Sequence, residues 1–409
     1  MYKRLITSLL LWAAILGAPA AAEAGKRDRQ IANRVAQWQI DNFGNYFSKG
    51  LPRSDQHWAN GALYRGMVVW GETSGYKPCE EFVLTVGRRN DWRMGRRQYH
   101  ADDICVGQAY LMLYQRHGDT AMLRPVLQRA DSVIAFPAKT RLHIKARDGS
   151  KRWSWCDALF MAPPVYALLT RITGDQKYLQ FMNSEFYAAT AALYDPAERL
   201  YYRDARYIPK REKNGKKVFW SRGNGWCYAA LAILLDTVPE SDPTYDYYRR
   251  LFVEMSASVV ACQDRSGSWH PSMLDPEAYP MPENSASGFF TYGLAWGVNR
   301  GLPSGRRFRS AGRAPGLEGP LLPRGQRRTP GLRAADRRVA RLDDARNDRS
   351  LRRRRLPPGG LGNREYVIPR HGNPRREGCD FATKNKDTRE RRISCFEILL
   401  TTKPKQPPS

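Results

Sequence analysis

The sequence predicts an all-α fold, a ring of helical hairpins in the manner of an α/α barrel, and three observations predict it. Apolar residues recur at helical spacing through most of the stretch from residue 104 to residue 262, whereas strand-like alternation is confined to short pieces such as Leu200 to Tyr207. The helices fall into pairs, an apolar one followed by an amphipathic one, separated by Gly/Asp or Pro turns. The pair recurs at about 55 to 65 residues, too long for tight tetratricopeptide-type repeats and suited to hairpins with long loops on one side.

Taken in order, the chain opens with Lys3 and Arg4, an uncharged apolar run from Leu5 to Leu16, and small residues ending Ala22-Glu23-Ala24. This is the pattern of a cleaved secretory signal, and the apolar run is short for a membrane span. Residues 1–24 are therefore expected to be removed, leaving a periplasmic or secreted protein with no membrane contact after cleavage. The barrel is expected over 25–303. Its clear hairpins are Ile104 to Tyr114 with Ala121 to Ile134, Ala158 to Arg171 with Gln176 to Leu193, and Trp226 to Leu235 with Thr244 to Cys262. The turns are His117-Gly118-Asp119, Thr173-Gly174-Asp175 and Pro239 to Pro243. Asp148-Gly149 leading to Trp153, and Ser266-Gly267-Ser268-Trp269, each follow an outer helix and lead towards the next inner one. Long loops and inner-helix N-termini then meet at one mouth of the ring, where partial positive charge favours an anionic ligand.

The composition changes after Pro303. Between Ser304 and Arg376 there are about 20 Arg and no Lys, amid Gly, Pro, Ala and Leu, and this segment carries more than half of the formal charge of +27. Such a composition builds no packed core. A basic arm for polyanions and a disordered extension are two readings of residues 304–409. The third, which the Arg-only bias favours, is a GC-rich coding sequence translated out of frame, so the last hairpin of the ring is expected to be missing or disrupted and no nucleic-acid partner is expected. The seven cysteines are scattered, without a disulfide framework or a CxxC pair. Most are expected to be small buried hydrophobes, one pair being free to oxidise outside the cytoplasm.

Three segments carry candidate chemistry. Phe219-Trp220-Ser221-Arg222-Gly223-Asn224-Gly225-Trp226 sets a cation, an amide and indoles around two glycines at a helix start. A guanidinium holds a carboxylate bidentately, an indole stacks on a pyranose, and glycine allows close backbone approach. Trp153 to Met161 places Asp157 among aromatic and apolar groups, where desolvation raises a carboxyl pKa and the helix N-terminus lowers it; the sequence leaves open which wins. His100 to Gln108 adds Asp102 and Asp103 at another helix start, where an acidic pair is often no more than a cap.

Together these segments resemble the unsaturated rhamnogalacturonyl hydrolases of glycoside hydrolase family 105. The resemblance covers Ile31 to Leu302 and rests on His100 to Tyr114 (HADDICVGQAYLMLY), Trp153 to Leu169 (WSWCDALFMAPPVYALL), Asp204 to Trp226 (DARYIPKREKNGKKVFWSRGNGW) and Ser287 to Leu302 (SGFFTYGLAWGVNRGL). It implies an (α/α)6 barrel that hydrates the C4=C5 bond of an unsaturated uronic acid at the non-reducing end of pectin-derived rhamnogalacturonan oligosaccharides, without metal or cofactor. An unsaturated glucuronyl hydrolase on other lyase products, or an inactive remnant binding polyanions, are the alternatives. The resemblance makes Asp157 the general acid and Asp102 the second carboxylate, and Trp155, Arg222, Trp226, Asn224 and His100 the sugar-binding positions. The chain departs from the family at Glu283-Asn284-Ser285-Ala286-Ser287-Gly288, where relatives carry Glu-Thr-Ser-Gly-Ser, and after Leu302, where they continue into a closing hairpin.

Overall fold

A computed structural model describes residues 25–45, 47–48, 51–146 and 149–302. The expected signal segment and the Arg-rich tail lie outside the described residues. A first helix, α1, occupies 25–41. It is followed by α2 (Trp58–Ser74), α3 (Lys77–Arg89), α4 (Ala101–Ile104), α5 (Gly107–His117), α6 (Thr120–Ala135), α7 (Ala158–Met161), α8 (Pro163–Thr173), α9 (Lys177–Leu193), α10 (Ser221–Thr237), α11 (Tyr245–Ala261) and α12 (Asn284–Asn299). Strands are reduced to two antiparallel pairs of two residues each, β1 (Phe47–Ser48) with β2 (Leu51–Pro52), and β3 (Tyr194–Asp195) with β4 (Leu200–Tyr201).

The helices alternate between an inner and an outer layer. The inner helices pack in succession, α2 on α5, α5 on α8, α8 on α10 and α10 on α12. Behind them stand the outer helices, α3 against α2, α6 against α5, α9 against α8 and α11 against α10. The layers differ in character. In α10 every residue from Gly223 to Leu235 is buried, whereas α3 and α6 bury one face only, Cys79-Val83-Val86 in the first and Met122-Val126-Ala130-Val133 in the second.

Each inner-to-outer turn is short, and the sequence explains why. Helices α5 and α8 end in Gly118 and Gly174 at φ of 71° and 76°, a left-handed cap that only glycine adopts without strain. Asp119 follows at once and accepts the Ala121 N–H at 2.9 Å, starting α6 in the residue after the turn. The outer-to-inner connections are long: residues 90–100, 136–157, 194–220 and 262–283. All four therefore lie at the mouth where α4, α7, α10 and α12 begin.

Several boundaries differ from the sequence expectation. The expected helix Ala158 to Arg171 is broken into α7 and α8, because Pro163 and Pro164 lack the N–H groups that a continuous helix needs. The helix expected from Trp226 begins five residues earlier at Ser221, so Gly223 and Gly225 are helical and not part of a flexible loop. Helical periodicity alone does not single out α2 and α12, whose many Gly and Ala residues and few charges leave no polar stripe to set the period. Among the described residues five inner helices are present. A cavity of ≈ 340 Å³ lies between α2, α10 and α12, lined by Arg65, Val69, Ile233, Asp236, Phe289 and Trp296, on the side where a sixth inner helix would close the ring.

Candidate active site

Three inner-helix starts supply the polar groups of the mouth. His100 caps α4, its Nδ1 accepting the Asp102 N–H at 3.3 Å, and its ring lies 4.9 Å from that of Trp155. Asp157 is the residue before α7, yet its carboxyl caps nothing. Its described partner is the Cys156 thiol, which donates to Oδ1 at 3.8 Å, the outer limit of a sulfur hydrogen bond. A carboxyl at a helix start that leaves the orphan amides unserved is not there for capping.

The electrostatics answer the question left open by the sequence. Burial pushes Asp157 up to about 7 and outweighs the opposing pull of the Arg203 and Arg222 guanidinium groups, while the negative charge of Asp102 adds to the rise. Asp102 is itself pushed up to about 6 by burial, against Arg97 and with the help of Asp103. His100 is lowered to about 4 by burial and by Arg97, so its contact with Asp102 at 3.7 Å is not an ion pair near neutral pH. Two interacting carboxyls thus titrate close to neutrality.

The Asp102-Asp103 pair divides its labour. Asp103 accepts the Arg97 backbone N–H at 2.7 Å and the same residue's guanidinium at 2.6 and 3.1 Å, and these bonds hold its pKa below the usual carboxylate range. Asp103 ties the loop before α4 to the helix, whereas Asp102 keeps a carboxyl with no guanidinium partner among the described residues. Asp103→Asn is accordingly expected to cost ~1–2 kcal/mol of stability at pH 8, through a lost charge-assisted pair. Asp102→Asn, which removes a desolvated charge, should be neutral or stabilising at the same pH. Thermal melts of the two variants check the opposite signs; equal losses would refute the division.

Asp157 is held against α10 by the first glycine of the Arg222-to-Trp226 motif. A Cβ at Gly223 would lie 2.7 Å from Cys156 Sγ, 2.9 Å from the Trp220 ring and 3.6 Å from Asp157 Oδ1. Gly225 does the same for α12, where a Cβ would come within 3.1 Å of Phe289. These glycines were expected to let backbone amides reach a ligand; they instead let two helices and the acid's segment pack closely.

Two expected sugar-binding positions are engaged in packing and hydrogen bonds within the chain. Asn224 is fully buried, its Oδ1 accepting the Tyr201 N–H at 2.7 Å and its Nδ2 donating to the carbonyls of Tyr201 and Trp220, both at 3.0 Å. With both ends of its amide engaged, Asn224 fixes β4 to the start of α10 and does not face a ligand. Trp226 is 5% exposed and packs with Phe160 and Phe289 at centroid distances of 4.5 and 4.1 Å, so it ties α7, α10 and α12 together. Arg222 donates to Glu283 at 2.9 Å while its guanidinium lies 4.4 Å over the Trp220 ring, leaving it partly engaged and still directed to the mouth.

Sequence reasoning did not select Arg203, and it counted Trp220 among the indoles of the glycine motif without giving it a role of its own. The loop carrying Arg203 is bolted to the acid's segment, for Cys156 N–H donates to the Arg203 carbonyl at 2.9 Å and Trp155 bridges Asp204 in antiparallel fashion. Nothing local in the sequence marks Arg203, because its position depends on this cross-chain bridge. Trp220 lines a cleft of ≈ 760 Å³ with Arg203, Arg222, Lys145, Arg206, Tyr207 and Lys210.

Residues 31–314 match the family model of Glycosyl Hydrolase Family 88. An unsaturated 3S-rhamnoglycuronyl hydrolase of Alteromonas is 34% identical over 296 residues, covering 68% of this chain and 72% of that protein. Among solved structures, a glycosyl hydrolase family 88 protein from Bacteroides vulgatus superposes with a TM-score of 0.62 at 28% identity, over 70% of this chain and 82% of its own. A family 105 glycoside hydrolase from C. acetobutylicum, at 19% identity, TM-score 0.55 and coverage of 66% and 78%, shares the fold.

Proposed function

This chain belongs to glycosyl hydrolase family 88, and from that premise we propose that it removes an unsaturated uronic acid from the non-reducing end of an oligosaccharide whose next sugar is rhamnose. One observation carries the reading: a carboxyl that caps no helix, Asp157, is raised to about 7 beside a second, Asp102, raised to about 6. A carboxylic acid that keeps its proton at neutral pH can donate it to carbon, which an ordinary surface aspartate cannot.

In this reading Asp157 delivers its proton to C4 of the 4,5-ene while its conjugate base draws a proton from water, whose oxygen bonds to C5. The resulting hemiketal opens and releases the neighbouring sugar. Asp102, ionised, holds the ring hydroxyls, and Arg222 faces the uronate carboxylate with the valence that Glu283 leaves. His100 and Trp155 form one wall. Rhamnose as the next sugar is supported by the name of the Alteromonas relative and by the motif resemblance, which points to rhamnogalacturonan fragments of pectin. The signal-like segment around Lys3 and Arg4 supports an enzyme working in the periplasm or outside the cell.

The test is the loss of ultraviolet absorbance as the conjugated double bond disappears, followed on unsaturated disaccharides. Turnover of an unsaturated uronyl-rhamnose is expected, faster than that of an unsaturated glucuronyl-hexosamine; absence of turnover on both overturns the proposal. The pH profile follows from the two carboxyls, treated as a pair. kcat/KM should be greatest between pH about 6 and about 7, falling above as the proton on Asp157 is lost and below as Asp102 becomes neutral. A profile flat from pH 5 to pH 9 would remove both residues from the chemistry.

A further inference from the structure

The cavity between α2, α10 and α12 is a largely apolar chamber with a lone cation in its wall. Its volume is ≈ 340 Å³, and Val69, Ile233 and the rings of Phe160, Phe289 and Trp296 line much of it, while Ala62 and Gly66 leave the space open by being small. None of Asp102, Asp157, Arg222 or Trp226 lines it, so it is not part of the candidate active site. The cation is Arg65, which is mostly buried. Its described partners are neutral: Nη1 donates to Gln108 Oε1 at 3.3 Å and to the Met112 sulfur at 3.5 Å. Burial holds its pKa below the usual guanidinium range, although Tyr292, Asp236 and Cys105 act the other way.

The acids of the cavity do not supply the missing counter-charge. Asp236 accepts the Trp296 indole N–H at 2.9 Å and pairs with Arg300, and Glu72 is exposed to solvent. Arg65 therefore has no carboxylate partner among the described residues, and because both of its described hydrogen bonds use Nη1, Nε and Nη2 are left for a ligand. A guanidinium withdrawn from water without a counter-ion is costly, and a carboxylate offers it two parallel hydrogen bonds. Aromatic and aliphatic walls around that one polar anchor favour a ligand whose remainder is apolar, the usual composition of a small-molecule site.

We propose that this cavity is a binding site for a small monocarboxylate with an apolar body, the carboxylate held by Arg65 and the body packed among Val69, Ile233, Phe289 and Trp296. The site is separate from the sugar-binding mouth and does not depend on the hydrolase reading. Its ligand differs from an unsaturated uronic acid in kind, since the walls offer apolar contact where a sugar ring would need partners for its hydroxyls.

The probe is phenylpropionate, with phenylpropionamide as its neutral twin, and binding of each to the full chain is measured by calorimetry. The acid is expected to bind at least ~10-fold more tightly than the amide. In Arg65→Met that ratio should fall to about one, the apolar walls then serving both probes alike. Methionine replaces a desolvated cation by an apolar chain, so the variant should melt no lower than the wild type, and a lost preference is then not a lost fold. Arg222→Ala should keep the ratio of the wild type. A ratio that survives in Arg65→Met and vanishes in Arg222→Ala would place the probe at the uronate position and overturn the proposal. A ratio near one in the wild type overturns it as well. So does a wild type that binds neither probe, the result expected if residues 303–409 or a second copy of the chain fill the cavity. Turnover of unsaturated disaccharides enters none of these readings, so failure of the hydrolase reading and failure of the cavity site are told apart.

Discussion

Asp157→Asn is expected to abolish turnover while leaving the ring folded, and to make the protein more stable above neutral pH. The loss follows from the proton: an amide cannot donate to C4 and then draw a proton from water, so kcat should drop by ~10²–10⁴-fold. The gain follows from linkage. A carboxyl raised from 3.8 to about 7 binds its proton more tightly in the folded state. The wild type therefore loses stability as pH rises from the unfolded value through about 7, and above that the desolvated charge is a constant penalty. Asparagine has no charge to desolvate. The variant should match the wild type near pH 4 and exceed it by on the order of 2 kcal/mol at pH 8, a figure already reduced for the carboxyl's partial contact with solvent. Melting curves at the two pH values, with absorbance assays, check both halves. A variant that still turns over removes Asp157 from the acid's role, and one less stable at pH 8 shows that the carboxylate is held by partners outweighing its desolvation.

A methyl group at Gly223, as Gly223→Ala, should damage the site far more than one at Gly225. Its Cβ would stand 2.7 Å from Cys156 Sγ and 2.9 Å from the Trp220 ring, and neither can retreat freely. Cys156 is fully buried, and Trp220 is pinned by the Asn224 amide on its carbonyl and by Arg222 against its ring. Overpacking of this kind costs ~1–3 kcal/mol. Activity should suffer more than stability, because relief of the clash moves the segment that carries Asp157, and a misplacement near 1 Å costs ~100-fold. Gly225→Ala is the comparison. Its nearest contact is 3.1 Å, to Phe289 across the interface with α12, so a smaller loss of stability and a much smaller loss of activity are expected. If Gly223→Ala melts and turns over like the wild type, the close packing of Asp157's segment on α10 is not what the site depends on.

Both expectations turn on interactions whose residues are legible in the sequence but whose partners are not. The hairpin pattern was visible because the outer helices alternate apolar and polar residues at a period of 3.6, and because Gly118-Asp119 and Gly174-Asp175 punctuate them at the turns. The helices α2 and α12 carry few charges and many small residues, so their period is silent. The acid Asp157 stands out because a lone carboxyl among Trp153, Trp155 and Phe160 has no local reason to exist. Asn224 misled for the opposite reason. An amide beside glycines looks available for a sugar, and only the approach of β4 shows that all of its hydrogen bonds go to backbone.

The sequence by itself determined the family, the layered ring of hairpins, and the types of group at the mouth, since these depend on periodicity, turn chemistry and motif, all of which are local along the chain. The tertiary structure decided which of those groups are free to act. It assigned Asp103 to Arg97 and left Asp102 with no guanidinium partner among the described residues, raised Asp157 by burial against two nearby arginines, and brought Lys145 and the loop from Arg203 to Lys210 to one cleft beside it. The physical reason is common to all three. Desolvation, charge pairing and convergence depend on distances between residues far apart in the chain, and such distances exist only once the inner helices have packed.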